Sequence, residues 1–180
     1  DSATVVKLVR EMVDTAKVNG HEIQHPSTLH VGAAANPNAD PMGAETLKIG
    51  RKAEAGAEFI QTQVVYDLDR TIEFLTEIKK YNVPVLLGIF PMKSYGIAKG
   101  FDTFVPGVDV PKDILAKWKA IKTDYKTDKA KQKEMYDQAN YEFFKPFITE
   151  LKKKNLLEGV HCMAVHYPRI FPKLIEVIKA

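Results

Sequence analysis

The sequence predicts an α/β fold built from parallel strand–helix units. Short apolar runs alternate with longer segments of helical periodicity, and four such runs follow one another along the 180 residues. Residues 84–90 are nearly all apolar, as expected for a parallel strand covered on both faces. The content of 45% hydrophobic and 27% charged residues is that of a globular chain able to bury a sizeable core.

Charge and cysteine content exclude several classes of protein. The lysines between positions 112 and 154 alternate with acidic residues, which indicates a solvated helical face and not a nucleic-acid-binding patch. Cys162 is the single cysteine, so no intramolecular disulfide forms, which fits a reducing compartment. No segment approaches the roughly 20 apolar residues needed to cross a bilayer. We therefore expect a cytoplasmic protein without a membrane span.

The N-terminal third is predicted to hold two helices around one strand. Apolar residues recur at helical spacing from Val5 to Ala16, and Asn19-Gly20 predicts the end of this helix. A polar loop with Pro26 follows, and residues 29–35 form a strand whose small side chains would admit a flat ligand. The second helix covers residues 42–55 and ends at Gly56.

Three further strands continue the pattern. Residues 59–65 form the second strand, and Asp67 caps a helix that runs to about residue 81. After the third strand, residues 84–90, come a short helix at 94–101, a helix from residue 112 and a polar helix at 129–154. Residues 159–165 form the fourth strand, and 168–179 form the last helix.

Right-handed crossovers leave two arrangements for these units, an open doubly wound sheet or an arc of a strand–helix barrel. No Gly-x-Gly-x-x-Gly follows any strand, which counts against a dinucleotide-binding domain. Four units would make half of an eight-stranded barrel, with two open sheet edges.

Polar residues at the predicted strand ends are the candidate ligand contacts, because ligands meet barrels there. Asn36 follows the first strand, and Gln61 and Gln63 lie on one side of the second. A glutamine amide can donate and accept, which suits the edge of a pterin or flavin ring. From these residues alone, a structural amide and a ligand contact are equally compatible with the pattern.

Other candidates each have two interpretations. Arg51 and Lys52 are either an exposed basic pair or a diphosphate clamp. Glu45 is favoured at its helix start by the helix dipole alone, and Phe101 is either a core anchor or a stacking surface. The five histidines lack metal-ligand spacing, so no metal site is predicted, and Cys162 is expected to be buried and inert.

Four segments in combination resemble methylenetetrahydrofolate reductases. They are VGAAANP at residues 31–37, KAEAGAEFIQTQ at 52–63, VPVLLGIFP at 83–91 and VPGVDVP at 105–111. The resemblance implies an eight-stranded TIM-type barrel, with residues 1–180 as a single domain that forms its second half and lacks the N-terminal half. It also implies flavin-dependent reduction of 5,10-methylenetetrahydrofolate to 5-methyltetrahydrofolate in one-carbon metabolism.

The same resemblance implies FAD as cofactor, NAD(P)H or an electron-transfer subunit as electron donor, and a homo- or hetero-oligomer. Gln63 matches the glutamine that binds the folate pterin, and Phe101 falls where an aromatic ring stacks on folate or nicotinamide. Asn36 takes the place of a flavin-contacting tyrosine. The helix that holds the FAD ribose and diphosphate carries four candidates, Glu45, Lys48, Arg51 and Lys52.

The family's general-acid glutamate and flavin-adjacent aspartate lie in the first half of the barrel, so no catalytic residue is assigned here. We expect the isolated segment to be inactive. Arg169 lies near a substrate-contacting arginine of some relatives, and its role stays open. Two alternatives remain: another pterin-using TIM-barrel enzyme such as a methyltransferase, and a non-catalytic half-barrel subunit or fragment that needs a partner chain.

Overall fold

A computed structural model describes residues 1–25 and 28–179, and it has the α/β architecture that the sequence predicts. Within these residues, four parallel strands carry helices on one face, and a small antiparallel hairpin lies near the N terminus. Pro26, which was placed in a polar loop, lies outside the described residues. No helix in the described part has the length and apolar content to cross a lipid bilayer.

The first helix ends earlier than its stop signal predicts. Helix α1 covers Ser2–Thr15, is capped by the Asp1 carboxylate and ends at Ala16, which has a φ of 55°. Strands β1 (Lys17–Val18) and β2 (His21–Glu22) then form an antiparallel hairpin. The prediction that Asn19-Gly20 ends the helix is wrong: their φ angles of 47° and 81° place them in the two-residue turn between these strands.

The main sheet contains β3 (Gly32–Ala35), β4 (Phe59–Val64), β5 (Val85–Ile89) and β6 (Gly159–Cys162), paired in parallel in chain order. A doubly wound sheet reverses its strand order at a switch point, whereas neighbouring strands of a barrel follow the chain. The observed order therefore excludes the doubly wound alternative, and the chain forms a partial barrel.

Helices connect each strand to the next. Helix α2 (Met42–Glu54) joins β3 to β4, and α3 (Leu68–Ile78) with a 3-10 turn at Lys79–Tyr81 joins β4 to β5. Three helices separate β5 from β6: α4 (Tyr95–Phe104), α5 (Lys112–Asp124) and α6 (Lys129–Lys153). A 3-10 turn at Pro168–Ile170 leads into α7 (Phe171–Lys179). Asp67 and Ser94 cap α3 and α4 through their side chains, and the first of these caps confirms a prediction.

The two outer strands are shorter than predicted. Residues 29–31 precede β3 without strand pairing, and β6 stops at Cys162 because a turn follows, in which His166 has a φ of 52°. The helix predicted at 94–101 extends three residues further, to Phe104.

The sheet has one covered face and one open face. On β4, Ile60, Thr62 and Val64 are buried, whereas Phe59, Gln61 and Gln63 are only partly buried. The covered face packs under the helices and forms the core with residues such as Leu87 and Phe144. The open face corresponds to the interior of the barrel, and its polar residues lie toward the carboxyl ends of the strands.

Candidate functional site

A pocket of about 410 Å³ lies at the carboxyl ends of β3 and β4. It gathers four of the predicted site residues, Asn36, Glu45, Lys52 and Gln63. The remaining lining residues are Ala34, Ala35, Gln61, Thr62 and Met163. This is the edge of a strand–helix barrel where ligands bind, and the volume lies within the range of small-molecule sites.

Lys52 brings a buried positive charge to this pocket. Its side chain rises from the last turn of α2, the residue is only 6% exposed, and its Nζ donates to the carbonyl oxygen of Ala34 at 2.6 Å. An ammonium group has three N–H donors, and a buried charge is costly unless it is paired. Because the contacts of the described residues give it one carbonyl acceptor, Lys52 is suited to an anionic ligand group.

Glu45 joins the start of α2 to the end of β3. One carboxylate oxygen accepts from the backbone N–H of Asn36 at 3.1 Å, and the other lies 3.4 Å from the Nζ of Lys48. Glu45 and Lys52 are seven residues apart, two helical turns, so both lie on the pocket face of α2. The pocket thus combines a buried carboxylate with a buried ammonium group.

Arg51 and Lys48 lie on a different side of α2. They line a second concavity of about 360 Å³ together with Asp1, Ser2 and Ala3. The Arg51 guanidinium pairs with the Asp1 carboxylate at 2.9 Å, and both side chains are exposed. Of the four candidates predicted on this helix, the structure therefore brings Glu45 and Lys52 into the strand-end pocket, while Lys48 borders it only through Glu45.

The side-chain amide of Gln63 is fixed at one end. Its Oε1 accepts from the backbone N–H of Val64 at 3.0 Å. In an amide only the carbonyl oxygen accepts from an N–H, so the two ends of this side chain are not interchangeable. The Nε2 group remains as the end available to a ligand. This narrows the sequence-based expectation, in which the amide offered both a donor and an acceptor.

The loop after β3 is held by residues that the sequence analysis did not select. Asn38 donates through Nδ2 to the carbonyl oxygen of Gly107 at 2.9 Å, and its own N–H reaches the side chain of Asn36 at 3.0 Å. Arg70, from the first turn of α3, donates to the carbonyl oxygens of Pro37 at 3.1 Å and Ala39 at 2.6 Å. The contact between Asn38 and Asn36 is a local turn, which asparagine favours, whereas the contacts with Gly107 and Arg70 join separate parts of the chain and have no local signal in the sequence.

Phe101 lies outside the pocket, on α4. Its ring is 4.1 Å from that of Phe90, centroid to centroid, with an interplanar angle of 31°. Phe90 directly follows β5, so the aromatic pair stands at the same end of the sheet as the pocket. One face of Phe101 is thus occupied by a neighbouring ring, as expected for an anchor, and the residue is only half-buried.

Arg169 is already paired within the protein. Its Nε lies 2.8 Å from Asp137 on α6, and its guanidinium stacks over the ring of Tyr167. The hydrogen bond with Asp137 raises the pKa of Arg169, and burial raises the pKa of Tyr167. A ligand would have to compete with the Asp137 carboxylate for this arginine.

A fully buried amide on α6 holds the segment after β5. Asn140 accepts from the N–H of Met92 at 2.8 Å and donates to the carbonyl oxygen of Met92 at 3.0 Å. The indole N–H of Trp118 donates to the same carbonyl oxygen at 2.8 Å. Both polar backbone groups of Met92 are satisfied by side chains, so this loop has a defined shape.

The last strand contributes two contrasting side chains. Cys162 is only partly buried, although it was expected to be buried. Burial nevertheless raises the pKa of its thiol to about 11, which agrees with the expectation of an inert cysteine. His161 pairs in register with Gly88, and its buried Nδ1 has no hydrogen-bond partner in the described part of the chain. Among the described residues, no group of three or more His, Cys, Asp or Glu side chains is placed to hold a metal ion.

The sequence matches one family and several of its members. Residues 3–176 match the model of the methylenetetrahydrofolate reductase family. Methylenetetrahydrofolate reductase (NADH) 1 of Arabidopsis thaliana is 28% identical over 165 residues, which cover 89% of this chain and 25% of that protein. Probable methylenetetrahydrofolate reductase (NADH) of Oryza sativa subsp. japonica is 31% identical over 117 residues, or 63% of this chain and 19% of that protein. The chain therefore spans about a quarter of the length of the Arabidopsis relative.

A solved structure shares the fold. It is described as an uncharacterized protein from Clostridium thermocellum that binds two copies of 5-methyl-5,6,7,8-tetrahydrofolic acid. The two chains align with a TM-score of 0.57 at 18% identity, over 84% of this chain and 53% of that chain. At this identity the likeness shows the fold alone.

Proposed function

The chain belongs to the methylenetetrahydrofolate reductase family, and from that premise we propose that it supplies the folate site and part of the FAD site of an enzyme that reduces 5,10-methylenetetrahydrofolate to 5-methyltetrahydrofolate. The observation that carries this proposal is the pocket at the strand ends that both Gln63 and the buried Lys52 line. Small side chains at Ala34 and Ala35 leave room there for a flat ring.

Gln63 is proposed to hold the pterin ring through its free amide end. Gln61 lines the same pocket two residues earlier and adds a second amide. Phe101 is proposed to stack on folate or nicotinamide through the ring face that Phe90 leaves uncovered. The Clostridium thermocellum protein, which has the same fold, is described as binding 5-methyltetrahydrofolate, and this supports a folate as the ligand class.

The pocket also fits part of FAD. Lys52 would neutralise a phosphate charge, and the oxygens of Glu45 would accept from a ribose hydroxyl beside Asn36. Lys48 and Arg51 extend this charge along α2 and are proposed to bind the diphosphate on its outer side. When bound, the flavin carries the hydride between the electron donor and the folate, while the protein orients both and excludes water.

The remaining half of the barrel is proposed to come from elsewhere in the enzyme. Strands β3 and β6 each have one sheet neighbour within the described residues, and the inner face of the sheet is open. We propose that residues 1–180 form one domain that completes an eight-stranded barrel with four further strands, which supply the proton donor. Electrons would come from NAD(P)H or from an electron-transfer subunit, in the cytoplasm, as part of one-carbon metabolism.

One experiment tests the reaction class. The full-length enzyme is purified, its absorbance is recorded, and formation of 5-methyltetrahydrofolate is followed with NADH or NADPH. We expect a band near roughly 450 nm from oxidised flavin and reduction of the folate. An enzyme without that band that transfers the methyl group instead would favour the pterin-dependent methyltransferase, and absence of both activities would favour the non-catalytic subunit.

Lys52 provides a sharper test of the flavin site. Lys52→Met should weaken FAD binding about 10- to 100-fold, because a charge-assisted hydrogen bond to a phosphate is lost. Flavin release on dilution measures this affinity by fluorescence. Lys119→Met, on the exposed face of α5, is the matched control and should retain the wild-type affinity. Equal flavin affinity in both variants would contradict the role proposed for Lys52.

A further inference from the structure

Thr62 carries a buried hydroxyl at the point where β4 and β5 separate. The residue is only 3% exposed, although its neighbours Gln61 and Gln63 face the pocket. Its Oγ1 accepts from the backbone N–H of Gly88 at 2.8 Å and donates to the carbonyl oxygen of Gln63 at 2.8 Å. The hydroxyl therefore links β5 to Gln63, which lines the pocket.

These two bonds belong to an irregularity in the sheet. Gln61 pairs with Leu86 and Val64 pairs with Gly88, so β4 advances three residues while β5 advances two. Such an extra residue is a β-bulge, which interrupts the ladder and redirects a side chain. The Thr62 hydroxyl takes the place of a backbone acceptor for Gly88. Any Cβ at Gly88 would overlap the carbonyl oxygen of Thr62, so only glycine permits this close approach.

The bulge also determines which end of the Gln63 amide faces a ligand. In the interrupted segment, the N–H of Val64 is met by the Oε1 of Gln63 at 3.0 Å. With one lone pair of this oxygen engaged by Val64, the two Nε2 hydrogens are the donors that the amide can offer to a ligand.

We infer that Thr62 is a positioning residue that makes Gln63 a donor-only contact, so that the pocket selects rings with an acceptor atom at that edge. This inference rests on the proposed folate site and specifies its chemistry: a ring carbonyl oxygen that faces the Gln63 amide is accepted, and an amino group in that place is rejected. When a mismatched ligand leaves a buried hydrogen-bonding group of the protein unpaired, the site discriminates strongly against that ligand.

Folic acid and aminopterin are suitable probes, because they differ in carrying a 4-oxo or a 4-amino group on the same ring system. Their dissociation constants are measured by calorimetry with the full-length enzyme and its Thr62→Val and Thr62→Ser variants. We expect the wild type to favour the 4-oxo ligand. Thr62→Val should weaken its binding about 3- to 10-fold and reduce the preference, because the bulge that orients Gln63 then loses the hydroxyl bridge between Gly88 and the Gln63 backbone. Thr62→Ser keeps the hydroxyl and should restore both properties.

A second buried threonine serves as the matched control. Thr71 donates its hydroxyl within α3 to the carbonyl oxygen of Asp67, away from the pocket. Thr71→Val should lower thermal stability and leave the ligand preference unchanged. A preference in Thr62→Val equal to that of the wild type would overturn the inference while leaving the folate site intact. Failure of the wild type to bind either probe would overturn the folate site itself.

A measurement on the wild type covers the case in which Thr62→Val does not fold. The Val64 amide should exchange slowly with solvent deuterium, because the Oε1 of Gln63 accepts its hydrogen bond. Rapid exchange at Val64 would overturn the inference without any variant.

Discussion

The Oε1 of Gln63 accepts a backbone hydrogen bond, whereas its Nε2 is available to a ligand. This division allows a nearly isosteric test, Gln63→Glu. The carboxylate keeps an oxygen for the N–H of Val64, so the free energy of unfolding should change by less than about 1 kcal/mol. The two donors are lost, so the affinity for 5-methyltetrahydrofolate should fall about 10- to 100-fold. Calorimetric titration and denaturant unfolding measure the two quantities.

The same change at an exposed position provides the control. Gln24 lies on the surface, outside the strand-end pocket, and Gln24→Glu adds the same charge. It should leave the folate affinity within about twofold of the wild type. If Gln63→Glu bound folate as tightly as Gln24→Glu, Gln63 would be a structural amide and not a ligand contact.

Cys162 gives a prediction about pH. Burial raises the pKa of its thiol to about 11, so the reactive thiolate is scarce at neutral pH in the folded chain. Alkylation by iodoacetamide should be slow at pH 7 to 8 and should accelerate as the pH rises toward about 11. Unfolding in urea should remove the protection, because the pKa then returns to about 8.5. Rapid modification of the native protein at pH 7, followed by mass spectrometry, would contradict the burial of this thiol.

Helix α6 holds the segment after β5 through Asn140. Replacing this residue by Ala removes the partner of the buried Met92 N–H and one of the two side-chain donors to the Met92 carbonyl oxygen, which keeps its bond from Trp118. We expect Asn140→Ala to lower the free energy of unfolding by about 2–3 kcal/mol. Chemical denaturation measures the loss. Gln138→Ala, exposed on the same helix, should stay within about 0.5 kcal/mol of the wild type.

The helices and strands were largely predictable, because apolar periodicity and capping residues act over short stretches of chain. Asp67 illustrates this, since a carboxylate just before an amphipathic run caps it in the structure as predicted. Asn19-Gly20 illustrates the limit: the pair suits both a helix end and a hairpin turn, and pairing with the next residues decides between them. Strand ends were overestimated where apolar residues continue into turns, as after Cys162.

The sequence indicated which residues could form the candidate site, but not how all of them are arranged. The two-turn spacing of Glu45 and Lys52 places them on one face of α2, and adjacent Arg51 necessarily points elsewhere. The bulge beside Gln63 depends on how β4 pairs with β5, which local sequence does not encode. Asn140 and Arg70 act on backbone groups far along the chain, so no pattern near Met92 or Pro37 indicated them.

The four-stranded sheet leaves two edges and an inner face that a complete barrel would cover. Unpaired edges attract other strands. The 180-residue chain on its own should therefore elute as species larger than its 20.2 kDa, and it should not reduce methylenetetrahydrofolate. Size-exclusion chromatography with light scattering tests the first point, with the full-length enzyme as control. A stable monomer of 20.2 kDa, or robust activity of the isolated chain, would contradict the half-barrel proposal.

The clamp of Arg70 on the carbonyl oxygens of Pro37 and Ala39 has a consequence for the time course of binding. This loop begins at Asn36, which lines the pocket, and it already has its shape before a ligand arrives. Because the loop needs little further ordering when a ligand binds, binding should occur in a single kinetic step. The observed association rate should rise in proportion to ligand concentration, without a slower phase, and differences in affinity among ligands should appear mainly in how long each one stays.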